Sequence, residues 1–181
     1  MIRLVQCLAV VFGLLVPGAA VHQAQTPPNP WQDWQMVAGD WIADEGHGQP
    51  GSPTSSGFSF SPDLDRKVLI RRDRADYPAA QGRPAFTHEG LMVIYRDETS
   101  KVFHAESFDN EGHVIGYTVD IVPGTRIVLT SPARSAAPTF RLVYETAAMG
   151  LAIRFEIAPP DHPSDFSLYV AGAAHRVGSA K

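Results

Sequence analysis

The sequence predicts an all-β fold, a single antiparallel meander of about ten strands curled into a barrel, with a short N-terminal helical turn. Three observations carry that expectation. From His88 to Ile157 the chain is a succession of short apolar–polar runs of strand length, the best being Lys101–Phe108 and His113–Val122. The runs are separated by turn chemistry, with Asp109-Asn110-Glu111-Gly112 ending in a glycine suited to positive φ and Pro123-Gly124 forming a two-residue turn. No segment has a helical period of useful length, which argues against an α/β fold.

Residues 1–20 have the layout of a secretory signal peptide. Arg3 supplies a positive start and Leu8 to Val16 an apolar stretch. Pro17-Gly18 breaks that stretch, and small residues precede a cut after Ala20. The apolar stretch is well short of the ~20 residues needed to span a bilayer. The expected product is exported, periplasmic or secreted. Its only cysteine, Cys7, leaves with the leader, so the domain must hold itself together by its core and not by disulfides. Residues 21–33, with Thr26-Pro27-Pro28-Asn29-Pro30, read as a linker. The barrel domain is expected over residues 34–177 and a short tail over 178–181.

Where the linker meets the domain, Trp31 to Val37 is expected to form one helical turn with Trp31 and Trp34 on one side, and Gly39-Asp40-Trp41 to open the first strand. Gly46 to Gly57 is a Gly/Pro/Ser loop. Phe58–Ser61 and Lys67–Asp73 are the next strands, and Asp76 to Thr87 a second long loop. The remaining strands are Gly90–Arg96, Lys101–Phe108, His113–Val122, Thr125–Ser131, Thr139–Glu145, Leu151–Ala158 and Asp165–Arg176.

Composition excludes several classes of function. The net charge is −4, and loss of Arg3 makes it more negative, so there is neither a nucleic-acid footprint nor a polybasic membrane patch. Zinc-ligand spacing, a G-x-S-x-G elbow, a P-loop and a dinucleotide fingerprint are all missing. Arg71, Arg72 and Arg74 beside a loop can bind an anionic head group or serve as a solvated strand edge.

Pairing Phe108 with His113 across their turn sets His104 opposite Tyr117 and Glu106 opposite Ile115, and places Tyr95, His104, Glu106 and Tyr117 on one face among aliphatic residues. Turned inward, this face is a polar spot in an apolar cavity, the usual layout of a small-molecule site. Turned outward, it is ordinary surface, and the pattern leaves the choice open. The later hairpin sorts Phe140, Leu142 and Tyr144 with Leu151, Ile153, Phe155 and Ile157, and sets Arg141 beside Glu156 as a cross-strand ion pair.

The Gly39-Asp40-Trp41 start, behind a short helical turn and ahead of a meander, resembles the lipocalin and fatty-acid-binding-protein (calycin) group of β-barrels. The pattern Gly90…Ile94-Tyr95, Phe108-Asp109…Gly112, Tyr117 and Phe140-Arg141-Leu142-Val143-Tyr144 is similar to small bacterial lipocalin-like domains. The resemblance covers Trp34 to Arg176. It implies a closed barrel with Gly39 and Trp41 as a structural plug at one end and a cavity at the other. Haem-binding barrels of the nitrobindin type are a more distant likeness; they begin G-x-W-x-G-x-G, from which this chain departs after Trp41, and His175 can stand where their iron-ligating histidine does. The leading expectation is a binder of a small apolar or amphipathic molecule, without cofactor or metal, oriented by Tyr95, His104, Glu106 and Tyr117. The alternatives are an isomerase- or cyclase-type enzyme using the same pocket for acid–base chemistry, and a haem barrel ligated by His175.

Overall fold

The structure, a computed structural model, describes residues 29–44, 52–80 and 82–178. The expected signal peptide and the linker as far as residue 28 lie outside the described residues. Ten antiparallel strands follow a 3-10 turn over Gln32–Met36: β1 (Gly39–Asp44), β2 (Ser55–Asp63), β3 (Val68–Tyr77), β4 (Phe86–Arg96), β5 (Phe103–Asp109), β6 (Val114–Val122), β7 (Arg126–Thr130), β8 (Thr139–Ala147), β9 (Gly150–Ala158) and β10 (Ser167–Arg176). Each strand pairs with its neighbour in sequence, and β1 pairs with β10, so the sheet closes into a barrel.

Closure divides the side chains into an inner and an outer set with period two. The inner set is apolar along β8 and β9, where Leu142 sits opposite Phe155 and Tyr144 opposite Ile153. On the outside of the same hairpin Arg141 pairs with Glu156, which also receives Arg154.

One end of the barrel is sealed. Trp34 and Val37 are fully buried beneath it. Trp31 and Trp34 both meet Phe103 edge-on, with centroids at 5.1 and 5.6 Å. The Trp41 indole donates to the Val37 carbonyl at 2.8 Å and stacks on Phe58. Arg176, at the end of the last strand, lies over Trp41 at 4.7 Å from the ring centroid. Its guanidinium donates to the carbonyls of Gln35, Met36 and Ala38, the groups that a helical turn leaves unpaired at its C-terminal end. Glycine suits position 39 because φ there is +96°, and a Cβ would also lie 3.2 Å from the Arg176 guanidinium, which would have to shift slightly.

The β5–β6 hairpin corrects the expected register. Phe108 pairs with Val114, not His113. Asp109 belongs to the strand, and its carboxylate accepts from the backbone N–H groups of Glu111 and His113 at 3.0 and 2.9 Å. Gly112 takes φ +94°. The loop is therefore three residues long with its glycine in the left-handed region. This one-residue difference turns every side chain of β6 to the opposite face.

Removing the seal is expected to be costly. Trp34→Ala should lower unfolding stability by about 3–5 kcal/mol. Arg176→Met, which keeps the apolar stem and removes the donors, should lower it by about 1.5–3 kcal/mol. Urea titration of both variants checks the order.

Candidate functional site

The end opposite the seal is open, and the barrel interior below it holds a cavity of about 560 Å³. Its apolar wall comes from Phe140 and Leu142 on β8, Ile153, Phe155 and Ile157 on β9, and Ile115 on β6. Its polar wall comes from β3 to β6: Arg71, Asp73, His88, Ser107, Asp109 and Tyr117. A second concavity, an open trough on the outer surface between Ile42, Ser59, Arg72 and Leu91, is more exposed and lies outside the barrel.

Alternation along β3 places Leu69, Arg71, Asp73, Ala75 and Tyr77 inside. Arg71 Nη1 pairs with Asp73, each side chain 16% exposed. The guanidinium also lies 5.5 Å from the Phe58 ring centroid. The backbone opposite Asp73 is Gly90, where a Cβ would come within 2.4 Å of the carboxylate, so glycine at this position makes room for the ion pair. Tyr117 and Tyr144 flank Arg71. Burial, the largest influence on both phenols, pushes the ionisation of Tyr117 well above its usual range and that of Tyr144 up to about 12; for both, the nearby Arg71 pulls the other way. Burial works against the Arg71 charge, but the phenols and Asp73 outweigh it and hold the guanidinium above its ordinary value.

Toward the rim the charged groups continue in a chain. His88 Nε2 is 3.7 Å from Asp73, and its Nδ1 lies 2.8 Å from Glu111 on the β5–β6 loop. His113 Nδ1 is 2.8 Å from Asp109. Burial acts to raise Asp109, yet the His113 backbone N–H and side chain, with the Glu111 N–H, bring its carboxyl below the usual range. Asn110 fixes the loop to β4, accepting from the Glu89 N–H at 3.0 Å and donating to the Thr87 carbonyl at 2.8 Å.

Of the four residues expected to meet a ligand, Tyr117 alone lines the cavity. Tyr95, His104 and Glu106 face outward: Tyr95 pairs with His104, the two rings stack at 5.7 Å outside the barrel, and His104 lies opposite Thr118. The β5–β6 register described above is what separates Tyr117 from the other three. Gly39 and Trp41 sit at the sealed end. His175 lies opposite Ile42 on the outer face, with its Nδ1 2.5 Å from Asp44, while its neighbour Ala174 points inward. It therefore faces away from the cavity, which the alternative of a haem ligand at His175 would have it enter. Among the described residues no three His, Cys, Asp or Glu side chains gather as a metal site.

The residues that sequence reasoning misses are Asp73, His88, Ser107 and Asp109; Arg71 enters it with Arg72 and Arg74, as a binder of an anionic head group or as a solvated strand edge, and not as half of an interior ion pair. The signal available was Phe58-x-Phe60 next to Arg71-x-Asp73: two aromatic inner positions facing two charged ones across a hairpin.

No family model matches the chain, and no curated protein matches it.

Two outcomes follow from this geometry. Asp73→Leu strands the Arg71 charge in the interior and should cost about 3–5 kcal/mol, while the double variant Arg71→Met/Asp73→Leu should recover most of that loss; a denaturation double-mutant cycle reads the difference. The raised phenols make folding sensitive to alkali. The unfolded chain ionises its tyrosines from the ordinary 10.0, so the stability that Tyr117 and Tyr144 contribute is complete below that pH and drains away as pH rises toward about 12. Tyr117→Phe/Tyr144→Phe should flatten this decline in an alkaline stability profile.

Proposed function

We propose that the protein is an exported, lipocalin-like binder that encloses one small amphipathic molecule inside its barrel. The observation that carries the reading is the interior cavity, within the ~300–1,000 Å³ range of ligand pockets, apolar on the β8–β9 side with convergent polar groups on the β3–β6 side. An apolar body lies against Phe140, Phe155 and Ile157 and a polar end meets Tyr117 and Arg71. The open end admits the molecule, and the sealed end holds the barrel in shape while it enters. Export rests on the N-terminal leader pattern, and the mass of protein recovered from an exporting host should lack residues 1–20.

One observation favours a second reading. The chain Glu111, His88, Asp73 and Arg71 runs from the rim into the cavity and suits an enzyme that moves a proton on an enclosed substrate. The readings separate on His88→Gln: an enzyme loses turnover by about 10²–10⁴-fold, a binder changes affinity only modestly.

Gly172 provides the test of the cavity itself. It lies on β10 facing the interior, and a Cβ there meets nothing within 4 Å. Gly172→Leu should enter the cavity with the barrel intact, since a side chain suits a strand better than glycine. The expected result is retained melting temperature and lost uptake of Nile red, with any molecule seen by native mass spectrometry on the wild type absent from the variant. Undiminished dye binding by a folded Gly172→Leu protein would place the ligand elsewhere.

A further inference from the structure

Resting on the interior-binding reading, we propose that the ligand's polar end is an uncharged oxygen acceptor, the carbonyl of a ketone, ester or amide, held by the Tyr117 hydroxyl beside Arg71, and that the cavity discriminates against the matching carboxylate anion.

The first support is the state of the cations. Every cationic or imidazole side chain lining the cavity already faces a carboxylate. Arg71 pairs with Asp73, and His88 stands between Asp73 and Glu111. His113 pairs with Asp109, and Arg74 with Asp76 and Glu89. Among the described residues an incoming carboxylate would find each of these positive charges already facing a carboxylate, with only the buried Arg71 Nε–H unpaired, and would be set down near Asp73 and Asp109. A charge taken from water without a partner is strongly disfavoured, whereas a neutral carbonyl needs only a donor.

The second support is that donor. Tyr117 is 5% exposed, lines the cavity, and forms no side-chain hydrogen bond with any described residue. Burial keeps the phenol protonated throughout the physiological range, so it always has a hydrogen to offer. The Arg71–Asp73 pair beside it is a dipole with little net charge. A carbonyl oxygen taken up by Tyr117 leaves that pair intact, and the remainder of the molecule points toward the apolar wall of β8 and β9. Rejection of an analogue without the acceptor follows the general rule that a buried donor left unpaired costs affinity.

The experiment uses the full exported protein, with displacement of Nile red at neutral pH by methyl decanoate, decanoate and undecane. The ester should bind at least about tenfold more tightly than the anion. Tyr117→Phe should weaken the ester by about 2- to 12-fold and leave the hydrocarbon unchanged. Asp73→Asn, by releasing the Arg71 charge, should raise decanoate affinity relative to the ester. Decanoate binding as tightly as the ester to the wild type overturns this inference alone, as does a Tyr117→Phe protein with unchanged ester affinity. These two comparisons decide the matter even if Asp73→Asn fails to fold. Failure of the wild type to bind the dye or any of the three probes overturns the interior-binding reading and this inference together.

Discussion

The pairing of the first strand with the last is the interaction on which the remainder of the molecule rests. Trp41 opposite Arg176 and Asp44 opposite Ala173 turn a meander into a closed surface without exposed edges. Only after closure does the alternation along each strand acquire a meaning, because one set of side chains then shares a common interior. Arg176 adds a second fastening. Its guanidinium satisfies three backbone carbonyls of the turn that precedes β1 while its flat face covers Trp41. The same contacts that close the sheet therefore also seal its lower end, and the open end is left for exchange with solvent.

Within that frame the Arg71–Asp73 pair is an expensive feature for stability. Two charges taken largely from water are repaid only in part by their attraction, and apolar replacements of similar size are often as stable. The pair is accommodated by specific concessions nearby: a glycine at position 90 and a phenyl ring under the guanidinium. Such local arrangements are common where a site needs fixed polar groups in an otherwise apolar space. Tyr117 beside the pair extends it into a small polar floor, with Tyr144 buried behind it, while the opposite wall remains hydrocarbon.

Much of the fold was legible in the sequence because its signals were local. Alternation in Phe140–Tyr144 and Leu151–Ile157 sorted the inner face correctly, and Arg141 beside Glu156 emerged as an ion pair from the same register. The turn at Asp109 was legible as a turn but not in its length. An aspartate whose side chain binds the backbone two and four residues on can close the strand itself, and whether it does so is decided by hydrogen bonds that a hydrophobic pattern does not record. That single residue put Tyr117 on the face opposite to the one that Tyr95, His104 and Glu106 share. That Arg71 faces inward and pairs with Asp73 was illegible for a different reason. The pattern assigns charge to solvent, and charged inner positions are legible only through the aromatic partners across the hairpin.

The closed meander also has a kinetic side. Nine of its ten strand pairings join neighbours along the chain, while the tenth brings together groups such as Asp44 and His175, 131 residues apart. Loop-closure entropy grows only logarithmically, by about 0.6 kcal/mol for each doubling of length, but it must be met before the contact repays it. Assembly can therefore proceed hairpin by hairpin and end with a single late, long-range step at the β1–β10 seam. Joining Trp31 to Val177 through a short linker and opening the chain instead at the exposed 97–102 turn would make that step local, giving a circular permutant with the same barrel and a different order of events in its assembly.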